Sequence, residues 1–220
     1  MTTPAAAARP RLPIALLAVA SLGLAVSVFL LYQAWGLRRT VQEYGRDELP
    51  RLSALPDFSA ISETGSPVTK ASLGGKVFVA DFIFTTCPGI CPGMTAKMKS
   101  LAGQLRDEPL VRFVSFTVDP DHDTPEVLAR YGREHGADPS RWSFLRMEKE
   151  PLRKLSREGF RLAVEDAGGG SSEPILHSTR FVLVDATGVI RGYFDSDEPG
   201  AMAALADGAR RLAREGAPRP

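Results

Sequence analysis

The clearest structural signal in this chain is the segment Lys76-Val77-Phe78-Val79-Ala80-Asp81-Phe82-Ile83-Phe84-Thr85. It is almost continuously apolar and rich in β-branched and aromatic residues, which is the pattern of a strand buried on both faces. Strands of this kind occur in sheets that are covered by helices. The stretch therefore predicts an α/β fold around a mainly parallel sheet.

The segments around this strand carry alternating helix and strand patterns. We predict helices over 92–106, 125–135, 151–158 and 200–214, further strands over 111–118, 142–145, 179–185 and 189–194, and short strands and turns over 57–75. Thr124 and Pro125 are a typical N-cap and first helical residue. Met94 and Met98 recur at helical spacing with leucines, which favours core packing over metal ligation.

The N-terminal part of the chain is a different kind of segment. Residues 14–35 are almost wholly apolar, and at about 1.5 Å per residue they are long enough to cross a membrane. The apolar core of a cleaved signal peptide is shorter, about 7–15 residues. We therefore expect a tail and membrane anchor over 1–37, a charged tether with some helical character over 38–55, and a domain over 56–215. Arginines flank the span on both sides, so charge leaves its orientation open.

The number and position of the cysteines indicate what kind of role they have. The chain has only two cysteines, Cys87 and Cys91, placed directly after the predicted strand. Two cysteines are too few for a disulfide scaffold, so we expect a chemical role for them. The 27 basic and 26 acidic residues nearly cancel to a net charge of +1, which gives no support to nucleic acid as a partner. Ligands in α/β sheets bind beyond the carboxyl ends of the strands, where Cys87 lies.

Two prolines shape the cysteine loop. Pro88 and Pro92 disfavour helical geometry in the residue before each, so we expect Cys91 to be the N-cap of a helix that Pro92 begins. Free N–H groups and the positive end of the helix dipole would then favour thiolate at one or both cysteines. Three residues separate the cysteines, one more than in the Cys-x-x-Cys redox motif. A disulfide switch and half of a metal site are both compatible with this loop.

A third residue is needed to choose between these two readings. The chain has three histidines, of which His135 ends a predicted helix as a cap and His122 lies in a polar, solvated turn. His177 follows a flexible glycine-rich loop and precedes a predicted core strand. Together with two thiolates it would complete a Cys₂His donor set, which suits copper better than magnesium or calcium. Asp119 is a candidate for supporting such a site from outside the ligand set, although a turn role before proline is equally compatible.

Three motifs in order are similar to those of the Sco/SenC family. They are Cys-Pro-x-x-Cys-Pro at 87–92, Asp-Pro-x-x-Asp-Thr-Pro at 119–125 and His-Ser-Thr at 177–179. The similarity extends from about Pro56 to the final helix, and the N-terminal apolar segment also fits. Members of this family are membrane-anchored copper chaperones with a thioredoxin fold that act in the assembly of cytochrome c oxidase.

The resemblance implies a specific site and location. Cys87, Cys91 and His177 would bind one copper ion, as Cu(I), Cu(II) or both. The domain would face the periplasm from the bacterial inner membrane, and its partner would be the CuA subunit of the oxidase or another copper chaperone. The alternative is a thiol–disulfide oxidoreductase or peroxidase on the same fold, which would need both cysteines and be indifferent to His177.

Overall fold

The computed structural model describes residues 23–24, 26–29, 49–162 and 179–216. The chain divides into two compact units, residues 1–42 and 43–220. The described residues of the first unit are helical. Within the described ranges we find no helix with the length and apolar character needed to cross a membrane. Most of the expected anchor and the whole glycine-rich loop lie outside the described residues.

The second unit is built on one eight-stranded sheet. Its strands are β1 (Ser53–Ala54), β2 (Ser59–Ser62), β3 (Pro67–Thr69), β4 (Val77–Ile83), β5 (Val111–Thr117), β6 (Trp142–Arg146), β7 (Arg180–Val184) and β8 (Val189–Asp195). Their order across the sheet is β1-β8-β7-β4-β5-β6-β2-β3. The helices are α1 (Ile90–Gln104), α2 (Pro125–Glu134), α3 (Lys149–Lys154), which continues into a π turn over Leu155–Gly159, and α4 (Ala201–Glu215). The structure therefore has the expected α/β class.

The strand directions differ from the expectation of a mainly parallel sheet. Only β4, β5 and β6 run parallel to one another. All the other pairs, including β4 with β7 and β7 with β8, are antiparallel. The expectation was wrong because a short hairpin connects β7 to β8, and a hairpin makes its two strands antiparallel. The sheet is mixed, with a parallel centre.

The central strand β4 confirms the interpretation of its sequence. All seven of its residues are buried, and it pairs with β5 from Val77 opposite Val111 to Ile83 opposite Thr117. Its carboxyl end lies beside the carboxyl end of β5 because the two strands are parallel and in step. The loops that follow these two strands therefore start side by side, and one of them carries the cysteines.

The sheet has a separate core on each face. On one face, helices α1, α2 and α4 cover the alternate strand residues, and Met98, Leu101 and Leu105 are at most 1% exposed there. The other face holds an aromatic cluster around Phe116. The methionines at helical spacing are buried as expected, at 2% exposure for Met94 and zero for Met98.

The start of the described domain is fixed to the sheet edge. The helical character expected for 38–55 is wrong at Ser53–Ala54, because these residues pair with β8. Before them, the Arg191 guanidinium donates to the carbonyl oxygens of Leu49 and Pro50 and pairs with Asp185 at 3.0 Å. Arg191 is 7% exposed. A two-residue strand has no sequence pattern of its own, so this attachment arises from contacts distant in sequence.

Candidate metal centre

The cysteine loop joins β4 to α1. Helix α1 begins at Ile90 with Gly89 as its N-cap, so the expectation that Cys91 is the N-cap was wrong. Pro92 is the third helical residue rather than the first. This is tolerated because the N–H groups of the first helical turn have no partner within the helix, and a proline there removes no helical hydrogen bond. Cys91 consequently lies within the first turn, and Cys87 in the loop before it.

Both thiols are free and buried, with Cys87 8% and Cys91 4% exposed. The two sulfurs interact directly. Burial opposes ionisation of Cys87, but hydrogen bonds from the Cys91 thiol and from backbone N–H groups of Cys91, Gly89 and Ile90 outweigh it, so the pKa of Cys87 is lowered. These amides belong to the start of α1, as expected for a thiolate held at a helix N-terminus.

Cys91 responds in the opposite direction. Burial, followed by its hydrogen bond to Cys87 and the nearby charges of Cys87 and Asp81, raises the pKa of Cys91 to about 12, although a backbone contact with Phe84 opposes the change. Thiolate is therefore favoured at one cysteine and not at both. The pair can hold one negative charge in the ion-free state, and a bound cation would be needed to stabilise two.

Asp81 is a buried carboxylate on the same face of the sheet, and our sequence reasoning did not single it out. It is fully buried, and burial raises its pKa to about 7, opposed by the side chain of Ser115. Ser115 is its register partner on β5 and accepts a hydrogen bond from the Trp142 indole at 2.9 Å. Neither carboxylate oxygen has a partner of good hydrogen-bond geometry among the described residues. A lone acid in the otherwise apolar stretch 77–84 was the available signal.

A second polar contact lies on this face between two helices. The side-chain oxygens of Thr95 on α1 and Tyr131 on α2 are 2.8 Å apart and buried. Burial raises the pKa of Tyr131 to about 12, with the Thr95 hydrogen bond opposing and the charges of Cys91 and Asp81 contributing. The cysteine face of the sheet therefore contains buried polar groups that are electrostatically coupled to the thiols.

The other candidate residues have defined places. Asp119 pairs with the exposed His122 at 2.8 Å, so that carboxylate is already engaged by a neighbour in its own turn. His135 is the C-cap of α2 and stacks on Tyr131, as expected for a structural histidine. The sulfur of Met94 accepts a hydrogen bond from Ser196 at 3.3 Å. Within the part of the chain that the structure describes, no three His, Cys, Asp or Glu side chains form a cluster that could hold a metal.

His177, the expected third ligand, lies outside the described residues. Thr179 follows two residues later, and β7 begins at the next residue, Arg180. Because β7 runs antiparallel to β4, with Val184 opposite Phe78 and Val182 opposite Ala80, the start of β7 lies at the end of the sheet where β4 ends. This is the end that carries the cysteine loop. Thr179 is fixed there by a hydrogen bond from Ser196 at 2.9 Å.

A buried carboxylate, Asp123, joins the loops that follow β4 and β5, and our sequence reasoning missed its role. It has no exposed surface. It accepts hydrogen bonds from the backbone N–H of Thr85 at 3.1 Å and from the hydroxyls of Thr85 and Thr117 at 2.5 Å each. The motif containing Asp123 was visible in the sequence, but its contact spans 38 positions and could not be inferred from spacing.

The fold and the paired thiols define a class: a thioredoxin-like domain with two cysteines at the end of its central strand. The SCO1/SenC family model matches residues 46–213, so the chain belongs to the SCO1/SenC family. The SCO1 protein homolog of Bacillus subtilis is 34% identical over 139 residues, which cover 62% of this chain and 71% of that protein.

Solved structures show the same relationship. A SCO1/SenC family lipoprotein from Bacillus anthracis is 35% identical with a TM-score of 0.65, and the match covers 73% of this chain and 95% of that one. BsSco, described as having a disulfide switch and as a member of the Sco family of cytochrome c oxidase assembly proteins, is 28% identical with a TM-score of 0.64, over 76% and 96% of the two chains. The copper-bound ScoI of Bradyrhizobium japonicum shares the fold, with a TM-score of 0.60 at 22% identity over 73% and 99%.

Proposed function

We propose that this protein carries one copper ion and delivers it during assembly of the CuA centre of cytochrome c oxidase. The ion would be held by Cys87, Cys91 and His177. The observation that carries this proposal is the pair of adjacent buried thiols at the start of α1, one with a lowered pKa. Soft thiolate ligands favour Cu(I) over hard ions such as Mg²⁺ and Ca²⁺.

The position of β7 supports the third ligand. Thr179 lies at the cysteine end of the sheet and only two positions after His177 in the sequence, which favours His177 as a ligand at that end. Membership of the SCO1/SenC family supports the role in oxidase assembly, as does the similarity to BsSco, a member of the Sco family of cytochrome c oxidase assembly proteins. Copper in the ScoI structure supports the choice of ion.

The location and partners belong to the same proposal. The apolar segment 14–35 would anchor the chain in the bacterial inner membrane, with the domain on the periplasmic side. The acceptor would be the oxidase subunit that holds CuA, and the donor another copper chaperone. Cargo must be released at the acceptor, and a loop at a helix N-terminus can change sulfur separation without unfolding the sheet.

A second candidate function is thiol–disulfide exchange with the same cysteines. The unequal thiols favour it, because a lowered pKa at Cys87 provides a thiolate that can attack a disulfide while Cys91 remains protonated. This chemistry uses no histidine ligand. The two functions therefore differ in their dependence on His177.

The first prediction separates the two functions through His177. Full-length His177→Ala is expected to lose Cu(I) affinity by at least about 10-fold, measured by competition with a coloured chelator, because the ion loses one of its ligands. His135→Gln is the matched control, since His135 caps α2 and is expected to leave the affinity unchanged. Cys87→Ser and Cys91→Ser should each abolish tight binding.

Two results would contradict the copper proposal. Unchanged affinity in His177→Ala would remove the three-ligand site. Failure of the wild-type protein to bind Cu(I) while it reduces model disulfides through Cys87 would favour the exchange function in its place.

A further inference from the structure

We propose that Asp123 is the positioning residue of the cysteine loop, and that its carboxylate sets both the copper affinity and the reduction potential of Cys87 and Cys91. This inference rests on the proposed function for its copper readout, but the potential can be measured without copper. Asp123 does not touch the thiols in the structure. It acts through Thr85, two residues before Cys87.

Strand pairing between β4 and β5 stops just before the cysteine loop. The pairing between β4 and β5 extends to Ile83 opposite Thr117. Its last hydrogen bond runs from the Val118 N–H to the Ile83 carbonyl oxygen, at 2.8 Å. Beyond Ile83 the chain leaves the sheet, so sheet pairing no longer fixes its path. The Asp123 carboxylate takes over at Thr85 and binds both the N–H and the hydroxyl of that residue.

The Asp123 carboxylate is itself held from the β5 side. Its Oδ2 accepts from the Thr117 hydroxyl at 2.5 Å, and that hydroxyl accepts from the Asp119 N–H at 3.0 Å. The N–H of Asp123 donates to the Asp119 carbonyl at 2.9 Å. A continuous chain of hydrogen bonds therefore runs from the turn at Asp119 to the residue that begins the cysteine loop.

The Asp123 side chain has to be a carboxylate to accept all of these hydrogen bonds. Three donors converge on this one fully buried side chain, and only a carboxylate has two acceptor oxygens for them. Asparagine would put an NH₂ group in place of one acceptor oxygen and remove the negative charge, so the hydrogen bonds from Thr85 and Thr117 would be weakened or reversed in direction. Thr85 would then be held less firmly, and the loop that follows it would move. Loop movement at Thr85 changes the position of Cys87 relative to Cys91, which is fixed in α1.

The direction of the effect follows from the state that the structure describes. Here the two cysteines are free thiols, and the hydrogen bonds between Asp123 and Thr85 hold the loop in that arrangement. Loss of these hydrogen bonds therefore destabilises the dithiol relative to the disulfide, and the disulfide becomes harder to reduce. A copper ion held by both thiolates also needs the loop in a fixed position, so a displaced loop must be re-ordered on binding and the Cu(I) affinity falls.

The chain offers a matched control in Asp185. This aspartate is also buried, at 6% exposure, and also satisfies a threonine hydroxyl and backbone N–H groups, at Thr187 and Val189. It braces the hairpin between β7 and β8 and not the cysteine loop. Replacing it reproduces the loss of a buried, satisfied carboxylate without touching the loops that follow β4 and β5.

The test compares full-length Asp123→Asn, Thr85→Val, Thr85→Ser and Asp185→Asn with the wild type. Three quantities are measured: Cu(I) affinity by chelator competition, the midpoint potential of the cysteine pair in a thiol redox buffer, and the thermal midpoint. Asp123→Asn and Thr85→Val should each lower Cu(I) affinity about 10-fold and shift the dithiol–disulfide equilibrium by about 10-fold, equal to about 30 mV, to a more negative potential. Thr85→Ser keeps the hydroxyl and should restore both values.

The Asp185→Asn control separates a specific effect on the cysteine loop from a general loss of stability. Asp185→Asn should lower the thermal midpoint and leave affinity and potential unchanged. Wild-type affinity and potential in Thr85→Val would overturn the inference, and that variant decides the matter if Asp123→Asn does not fold. Equal shifts in Asp185→Asn would also overturn it. If the wild type binds no Cu(I) but the potential shifts as stated, the copper proposal fails and the positioning role stands.

Discussion

The two faces of the sheet are formed by the same strands but bury different kinds of side chain. On the face that packs against α3 and its π turn, Phe116 lies among three other aromatic rings at centroid distances of 5.4 to 5.6 Å, and it has no exposed surface. On the cysteine face, the equivalent central positions of β4 and β5 are Asp81 and Ser115. One face is a close-packed apolar core. The other has polar groups buried beneath the thiols.

This difference suggests that one face mainly stabilises the domain and that the other mainly serves the chemistry of the thiols. An aromatic cluster contributes through buried area and ring packing, and it tolerates no cavity. A buried acid without a good hydrogen-bond partner destabilises the folded state, since burial disfavours its charged form. We infer that the aromatic face stabilises the domain enough for the cysteine face to contain groups that are unfavourable for folding.

The largest effect should come from the aromatic face. Phe116→Ala is expected to lower the free energy of unfolding by about 3–5 kcal/mol, because it removes a ring from the centre of a four-ring cluster and leaves a cavity. Denaturant unfolding measures the loss. The rate of Cys87 alkylation as a function of pH should stay at the wild-type value.

A core truncation on the other face tests the comparison. Met98→Ala should cost about 2–5 kcal/mol, but it also lies on the buried side of α1 together with Cys91, and it should change the pH profile of Cys87 alkylation. Equal alkylation profiles for the Phe116 and Met98 variants would show that the faces are not specialised.

The next effect concerns the buried acid. The pKa of Asp81 is about 7 in the folded protein against an ordinary 3.8. Below the ordinary value the group is protonated in both states and costs nothing. As pH rises from about 4 to 7, the unfolded chain ionises first, so the folded state loses stability, and the loss is complete above 7.

Asp81→Asn removes this titration. The variant should gain stability relative to the wild type as pH rises, by an amount on the order of 2–4 kcal/mol between pH 4 and pH 8. The measurement is the difference in unfolding free energy between the two proteins across that range. A difference that does not change with pH would show that Asp81 is not held neutral.

The smallest effect is expected at the contact between α1 and α2. Tyr131→Phe removes the hydroxyl that pairs with Thr95 and leaves a buried Thr95 oxygen unpaired, which should cost about 1 kcal/mol. Adding Thr95→Val removes the unpaired group, so the double variant should be no less stable than Tyr131→Phe alone. A further loss in the double variant would mean that Thr95 has another partner.

The parts of the fold that sequence predicted well are those with local signals. The apolar run became β4, and Thr124 caps α2 by accepting from the Val127 N–H at 3.4 Å. The start of α1 was misplaced by two residues because a proline is compatible with any position in the first helical turn, so Pro92 alone did not define it.

The remainder depends on contacts between distant residues. The two-residue strand β1 exists only because β8 pairs with it, and neither its sequence nor its length indicates a strand. The antiparallel direction of β7 depends on which strands become neighbours, which periodicity does not reveal. The link between Asp123 and Thr85 is of the same kind. The position of the two cysteines directly after β4 could be predicted from the sequence alone, and their role as ligands stays a prediction.

The attachment of Leu49 and Pro50 to Arg191 has a mechanical consequence. Tension applied to the chain from its N-terminal side reaches the buried guanidinium on β8 before it reaches the two-residue ladder of β1. In the strand order, β8 is separated from β4 by β7. A pull on the N-terminal side therefore acts first on β8 at the hairpin edge, and β7 lies between that strand and the one whose end carries the cysteine loop.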